Sequence, residues 1–345
     1  MAPNRPARAR VRTAALLSVA GLAAIGVTAC SSSKSEAGGS GGGKLALVAY
    51  SVPKPAYDAL TSAFSATAAG KGSTWGSSYG PSGTQSQAVS NGQKADYVAF
   101  SLEPDLTKLV PKFVDAGWNS GPTKGLVSNS VVVIAVRKGN PKGIKNWDDL
   151  IKPGIKIVTP DPGSSGSAKW NILAAYTHVL EDGGTDAQAQ TYLKGFFANV
   201  VSKPASGATA MTTFLNGTGD VLISYENEAI AARQKGQSLD YVVPPESILI
   251  ENPAAVTRTA PQQAKDFLAF VQSPDGQKVF GDHGYRPVLK DVDLGPVQGA
   301  NDPANPFPTV GKLETIANLG GWSAVNKKYF DKTDGIVPKI EGGRQ

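Results

Sequence analysis

Four short turns in this chain share a composition suited to one task, holding an oxyanion through serine hydroxyls and main-chain N–H groups. The richest is Thr159 to Leu180, TPDPGSSGSAKWNILAAYTHVL. Pro160, Pro162 and Gly163 break the run Ile155 to Val158, and Ser164 to Ser167 follow. From Trp170 onward, apolar residues recur at Ile172, Ala175, Tyr176, Val179 and Leu180, the spacing of one buried helix face. A strand, a Ser/Gly turn and a helix start together suit an anion. The first N–H groups of a helix lack internal partners, and the macrodipole places partial positive charge among them. Serine also caps helices with nothing bound, so one such turn reads equally well as an N-cap cluster.

Three further places repeat the pattern. Ser78 to Ser86, SYGPSGTQS, opens a helix at Ser82-Gly83, and Pro204 to Thr209, PASGAT, precedes a helix face of Met211, Phe214 and Leu215. Tyr50-Ser51-Val52-Pro53 ends the first strand, where Ser51 offers both an N–H and a hydroxyl. Four such turns in one chain favour a shared anion site over four unrelated caps. No Lys or Arg lies inside SYGPSG or PASGAT, and Lys169 comes only after SSGS. The ligand's charge is therefore expected to meet dipoles and neutral donors, with selectivity resting on hydrogen-bond count and geometry.

The elements that must position these turns alternate along the chain. Strands are predicted at Leu45 to Tyr50, Asp96 to Ser101, Val131 to Val136, Ile155 to Thr159, Val221 to Ser224, Tyr241 to Val243 and Ser247 to Glu251. Helices are predicted at Ala56 to Ala66, Gln85 to Asn91, Thr191 to Phe197, Ala208 to Leu215, Glu228 to Lys235, Gln262 to Val271 and Lys312 to Ala317. Such alternation predicts an α/β fold with mainly parallel sheets. The body from Lys44 on is about 300 residues, large for one core, which suggests two lobes.

The amino terminus reads as an export signal. Arg5, Arg8, Arg10 and Arg12 form a basic segment without an acid, followed by the apolar run Ala14 to Ala29. That run, at about 16 residues, falls short of the ~20 that cross a bilayer comfortably. Residues 1–29 are assigned as the signal peptide. Val27-Thr28-Ala29-Cys30 resembles a bacterial lipobox, which implies cleavage before Cys30 and lipid on its sulfur. Cys30 is the one cysteine of the chain, so no intramolecular disulfide forms. Residues 30–43 continue as a Ser/Gly tether too polar to fold. Without residues 1–29, which carry four Arg and no acid, the formal charge falls from +6 to about +2. The high pI therefore reflects the signal and does not point to nucleic acid.

The segments SYGPSGTQSQAV, VRKGNPKGIKNWDDLIKPGIKIVTPDPGSSGSAKWNILAA, NGTGDVLISYENEA and GYRP resemble the sulfate-binding proteins of bacterial ABC importers. The resemblance runs from about Leu45 to about Tyr329, and its block Val136 to Ala175 is the most specific part. It implies the two-lobed periplasmic-binding-protein fold (type II), with lobe 1 formed by 44–130 and 244–345 and lobe 2 by 131–243. It also implies a dehydrated sulfate held in the cleft by helix-start N–H groups, a serine hydroxyl and an indole. Carried over by position, main-chain donors fall on Ser51, Ser82, Gly166, Ser167 and Gly207, and the hydroxyl donor falls on Ser165. Ser51 replaces the Asp of better-known members, Ser167 replaces a Gly, and Ala208 replaces an arginine beside Gly207. The indole position is Tyr225, whose phenol accepts as well as donates. Closure is expected about Ser130 to Val136 and Tyr241 to Pro245, followed by docking on the ABC permease of a monomer tethered outside the cell membrane through Cys30.

Sulfate near neutrality is a dianion that only accepts hydrogen bonds, whereas phosphate keeps a proton that needs an acceptor. SYGPSG, SSGS and PASGAT hold no Asp or Glu; Asp161 lies a few residues before SSGS, and Glu226 adjoins Tyr225. Sulfate is therefore the expected ligand, with thiosulfate next and molybdate and phosphate behind. An enzyme is not expected, nor a cofactor or metal. His178 and His283 read as packed or solvated residues, and no His, Cys and carboxylate cluster, GxSxG or Walker loop occurs. Asp148-Asp149 reads as a helix-start cap, Glu226 and Glu228 as acids at another helix start, and Trp147, Trp170 and Trp322 as core or cleft-wall aromatics. A structural surface lipoprotein without a ligand is the alternative from a different class, and it gives no reason for four Ser/Gly helix starts.

Overall fold

The computed structural model describes residues 44–342, so the signal peptide, Cys30 and the tether lie outside the described residues. The strands are β1 (Lys44–Tyr50), β2 (Thr74–Gly80), β3 (Tyr97–Ala99), β4 (Leu126–Arg137), β5 (Ile157–Val158), β6 (Val200–Ser202), β7 (Val221–Tyr225), β8 (Leu239–Val242), β9 (Glu246–Val256) and β10 (Lys312–Glu314). The helices are α1 (Lys54–Ser65), α2 (Ser82–Ser90), α3 (Glu103–Thr107), α4 (Gly166–Glu181), α5 (Asp186–Asn199), α6 (Gly207–Leu215), α7 (Glu226–Gln234), α8 (Gln262–Val271), α9 (Pro274–Asp282), α10 (Gly321–Val325) and α11 (Ile336–Gly342).

One continuous sheet runs in the order β2-β1-β3-β9-β4-β7-β5-β6, with β8 added to β4 and β10 to β9. Its ends are parallel, β1 with β2 and β3, and β5 with β6 and β7. Its middle is antiparallel, because β4 and β9 pair with each other and then diverge. Along β4, Leu126 to Val131 pair with β9 and Val132 to Val136 with β7. Along β9, Leu249 to Pro253 pair with β4, and Ala254 to Val256 with β3. β4 thus runs from the β1–β3 side to the β7–β5 side, and β9, antiparallel to it, runs the opposite way. The first crossing contains Ser130 to Val136 as expected. The second is β9 rather than Tyr241 to Pro245, since Tyr241 lies in β8 beside Ala135 of β4.

The strand period of two decides which helices meet which face. Val132, Ile134 and Val136 face Ile172 and Leu173 of α4 and Phe196 and Phe197 of α5. Their neighbours Val131, Val133 and Ala135 face Ala210 and Phe214 of α6 and Ala229 and Ile230 of α7. With both faces covered, Val131 to Val136 is continuously apolar and 0–2 % exposed, which is why it read so strongly as a strand. On the other side, Leu47, Ala49, Tyr97 and Ala99 pack on Tyr57, Leu60 and Phe64 of α1 and on Phe267 and Phe280 of α8 and α9. Val48 and Val98 face Val89 of α2 and Leu106 of α3.

The carboxyl-terminal elements join the α4–α5 cluster through Ile316, Trp322, Val325, Tyr329, Val337 and Ile340. Here one expectation is corrected: Lys312 to Ala317 is not a helix. Lys312–Glu314 forms β10, parallel to β9. Leu313 packs beside the α6–α7 cluster and Ile316 within the α4–α5 cluster, so their spacing of three does not mark one helix face. A six-residue window cannot separate the two periods, and the free hydrogen-bonding edge of β9 decides the outcome.

Candidate anion-binding site

Three helices begin at one small cavity: α2 at Ser82, α4 at Gly166 and α6 at Gly207. Tyr50, Ser51 and Val52 at the end of β1, Gly80 and Pro81 at the end of β2, and Ser101 after β3 complete its wall with Ser165, Ser167 and Ser206. The strands deliver their carboxyl ends to this point, as open α/β sheets do at ligand sites. The cavity is small, about 10 Å³, close to the least that admits a single water. No lining residue is charged. Six of the seven expected positions, Ser51, Ser82, Ser165, Gly166, Ser167 and Gly207, are therefore brought to one cavity.

Local sequence explains what each turn presents. Ser82, Gly166, Ser167 and Gly207 are the first residues of their helices, so their N–H groups have no intrahelical acceptor. Ser165 is the N-cap of α4, yet its hydroxyl caps nothing and instead lies 2.8 Å from Ser167 Oγ. Ser206 does cap α6, accepting from the Thr209 N–H at 3.2 Å. The Ser82 hydroxyl donates to Asp105 Oδ2 at 2.8 Å and accepts from the Ser101 N–H at 3.0 Å, which leaves the main chain as its offering to the cavity.

Ser101 went unnoticed in the sequence because it belongs to no Ser/Gly turn. Its position at the carboxyl end of a strand was the available signal. It is held by three bonds besides its own hydroxyl's: its N–H goes to Ser82 Oγ, and its carbonyl accepts from Trp170 Nε1 at 3.0 Å and Asn252 Nδ2 at 3.1 Å. Tyr225, fully buried at the end of β7, does not line the cavity. Its phenol lies 2.7 Å from Ser101 Oγ and also bonds the Ser167 side chain, so it reaches the site through those two hydroxyls.

Two glycines allow these elements to meet. A Cβ on Gly166 would stand 2.7 Å from both Cβ and Oγ of Ser101 and 2.9 Å from Leu102 Cγ. One on Gly207 would stand 2.8 Å from Ser167 Oγ, 3.1 Å from Val52 Cγ2 and 3.2 Å from Glu228 Oε2.

Behind the cavity, burial pushes the phenols of Tyr50, Tyr225 and Tyr285 well above their ordinary range, so all three stay protonated. Burial also pushes the Glu228 carboxyl up to about 7, against the hydrogen bond from Ser224 Oγ at 2.7 Å. Glu226 is fully buried and paired with Arg286 through bonds of 2.7 and 3.1 Å. Asp149 Oδ2 accepts from the N–H groups of Lys145 and Asn146, completing a capping box. His178 is packed against Trp147 and Tyr192, and burial lowers its proton affinity. The Lys169 amine bonds Asn326 Oδ1 at 2.9 Å and lies over the Phe330 ring, outside the cavity lining. Among the described residues no group of three His, Cys, Asp or Glu is placed to hold a metal.

The family model described as "Bacterial extracellular solute-binding protein" matches residues 45–286. A sulfate-binding protein of Synechococcus elongatus is 37 % identical over 321 residues, covering 89 % of each chain. A thiosulfate-binding protein of Pseudomonas aeruginosa is 30 % identical over 298 residues, 82 % of this chain and 88 % of that one. The solved structure of the sulfate-binding protein SubI from Mycobacterium tuberculosis H37Rv superposes with a TM-score of 0.78 at 43 % identity, covering 84 % of this chain and 99 % of that one.

Proposed function

The chain belongs to the bacterial extracellular solute-binding proteins, and from that premise we propose that it captures sulfate outside the cytoplasm and delivers it to an ABC importer. The observation that carries this reading is the convergence of three helix N-termini on a cavity with no charged side chain in its wall. A dianion stripped of water needs hydrogen bonds at every oxygen, and helix-start N–H groups with serine hydroxyls supply them without a counter-ion to trap the ligand. The donors are the main chain at Ser51, Ser82, Gly166, Ser167 and Gly207 together with the Ser165 hydroxyl. Ser101 takes the place assigned to the aromatic donor, with Tyr225 orienting it from behind. A protonated oxyanion such as phosphate would leave its O–H facing donors, at about 1–3 kcal/mol or more.

The site works by capture and not by catalysis. Ser101 follows β3 while Gly166 opens α4, and the two are in contact. A ligand enters when these sides part about β4 and β9 and is sealed when they close; only its extra affinity for the closed form drives closure. The moving bodies are the expected lobes, 44–130 with 244–345 and 131–243, except that residues from 312 onward travel with α4 and α5, on which they pack. Lipid on Cys30 would hold a monomer beside its permease.

Calorimetric titration of the purified protein with sulfate, thiosulfate, phosphate and molybdate, in a buffer free of tetrahedral anions, tests the reading. Tight one-to-one sulfate binding with phosphate far weaker is expected. Thiosulfate tighter than sulfate would move the assignment to the other dianion, and silence with all four from folded protein would refute it.

A further inference from the structure

Two aromatics that stand out in the sequence, Trp170 and Trp322, have no part in the anion site, yet one of them spans the boundary that closes around it. Trp170 is the fifth residue of α4 and fully buried, and its indole Nε1 donates to the main-chain carbonyl of Ser101 at 3.0 Å. Ser101 follows β3, which pairs with β1 and β9, whereas α4 packs with α5 against β4 and β7. Donor and acceptor therefore belong to the two sides that part when a ligand enters. Leu102, next along the chain, packs into the α4–α5 cluster across the same boundary.

Each end of this bond is fixed from its own side. Trp322 of α10, which packs with α4 and α5, meets the Trp170 ring edge-on, with centroids 4.9 Å apart and planes at 78°. The ring plane, and with it the direction of the N–H, is thus set by neighbours that move with Trp170. On the other side Ser82 Oγ accepts from the Ser101 N–H at 3.0 Å, and Asn252 Nδ2 of β9 donates to the Ser101 carbonyl at 3.1 Å. A carbonyl oxygen has two lone pairs. Asn252 keeps it partnered when the sides part, and the indole adds the second bond when they meet.

We propose that Trp170 is a positioning residue that latches the cleft: its indole N–H bonds Ser101 only in the closed form, so the protein itself supplies part of closure, and retention of sulfate depends on this bond while entry does not. The inference rests on the sulfate reading above. Trp170 does not line the cavity, so it acts on the ligand only through the balance between open and closed forms. A bond made in the closed form alone shifts that balance by its own net worth. For a neutral hydrogen bond this is about 2- to 13-fold. Sulfate first meets the open form, where the bond is absent, so the effect falls on dissociation.

The test removes the donor and keeps an aromatic ring. Trp170→Phe does so with a smaller ring, and replacement of Trp170 by benzothienylalanine does so with the shape of the indole preserved. Dissociation is read by chasing bound radiolabelled sulfate with excess unlabelled sulfate, affinity by calorimetry, and stability by a thermal melt in sulfate-free buffer. Both variants should release sulfate about 2- to 13-fold faster, with the association rate, taken as the dissociation rate divided by Kd, unchanged. The benzothienyl protein should melt at the parental temperature without sulfate. Parental release from the benzothienyl protein overturns this inference alone. So does slower association with unchanged release, and so does an equal loss of stability with and without sulfate, since the bond would then be present whether or not the cleft is shut. Failure of the parent protein to bind sulfate overturns the functional reading and this inference with it. If Trp170→Phe does not fold, the benzothienyl protein decides.

Discussion

Substitution of Gly166 by alanine separates closure from folding. Gly166 has a helical backbone with no positive φ, and alanine is the better helix former by about 0.5–1 kcal/mol. Considered on its own helix, Gly166→Ala should be neutral or slightly stabilising. Across the cavity the added methyl would stand 2.7 Å from Ser101 Cβ and Oγ and 2.9 Å from Leu102 Cγ. Ser101 cannot easily yield, because its N–H and carbonyl are bonded to Ser82, Trp170 and Asn252. Overpacking of this kind costs about 1–3 kcal/mol, and it applies only when α4 and Ser101 are in contact. Sulfate affinity should therefore fall about 5- to 150-fold, while the melting temperature without ligand holds or rises slightly. Calorimetry gives the first quantity and a thermal melt in oxyanion-free buffer the second. Parental affinity would show that the two sides need not meet around the ligand. An equal loss of stability without ligand would show that they never part.

Ser165→Ala should weaken sulfate binding by about 1.5–3 kcal/mol if the hydroxyl meets a charged oxygen; titration decides, and unchanged affinity removes Ser165 from the ligand. Tyr225→Phe leaves the buried Ser101 hydroxyl without its 2.7 Å partner, a loss of about 1–3 kcal/mol in urea unfolding without ligand and weaker sulfate binding. No change in either would mean that the phenol does not orient Ser101. Glu228 also bears on stability. Its carboxyl, at 4.5 when unfolded and about 7 when folded, holds its proton more tightly in the native state. Stability in sulfate-free buffer should thus be highest below pH 4.5 as far as this group is concerned, and should decline by up to about 3 kcal/mol by pH 7. Denaturant midpoints across that range check it, and Glu228→Gln should flatten the decline.

Much of the framework was legible because its causes are local. Val131 to Val136 read as a strand from β-branched residues alone. The Ser/Gly turns marked the starts of α2, α4 and α6, since proline, glycine and serine act on their own few residues. The cap at Asp148-Asp149, made by Asp149, followed from the same short-range chemistry, whereas the choice between a packed and a solvated His178 depended on Trp147 and Tyr192. Where a six-residue pattern fitted two periods, as at Lys312 to Ala317, the partner strand decided.

Each turn's own residues set what it could offer: unpaired N–H groups and hydroxyls with no cation among them. That the turns meet is a property of the whole fold, because β4 and β9 pair with strands on both sides and bring the carboxyl ends of distant strands to one point. The same packing puts Tyr225, the position where an indole was expected, behind the hydroxyl of Ser101. Ser101 and Tyr225 are 124 residues apart, and their 2.7 Å contact has no local signature. Burial, a property of the whole fold, raised the proton affinity of Glu228, an acid that in sequence looked like any other at a helix start.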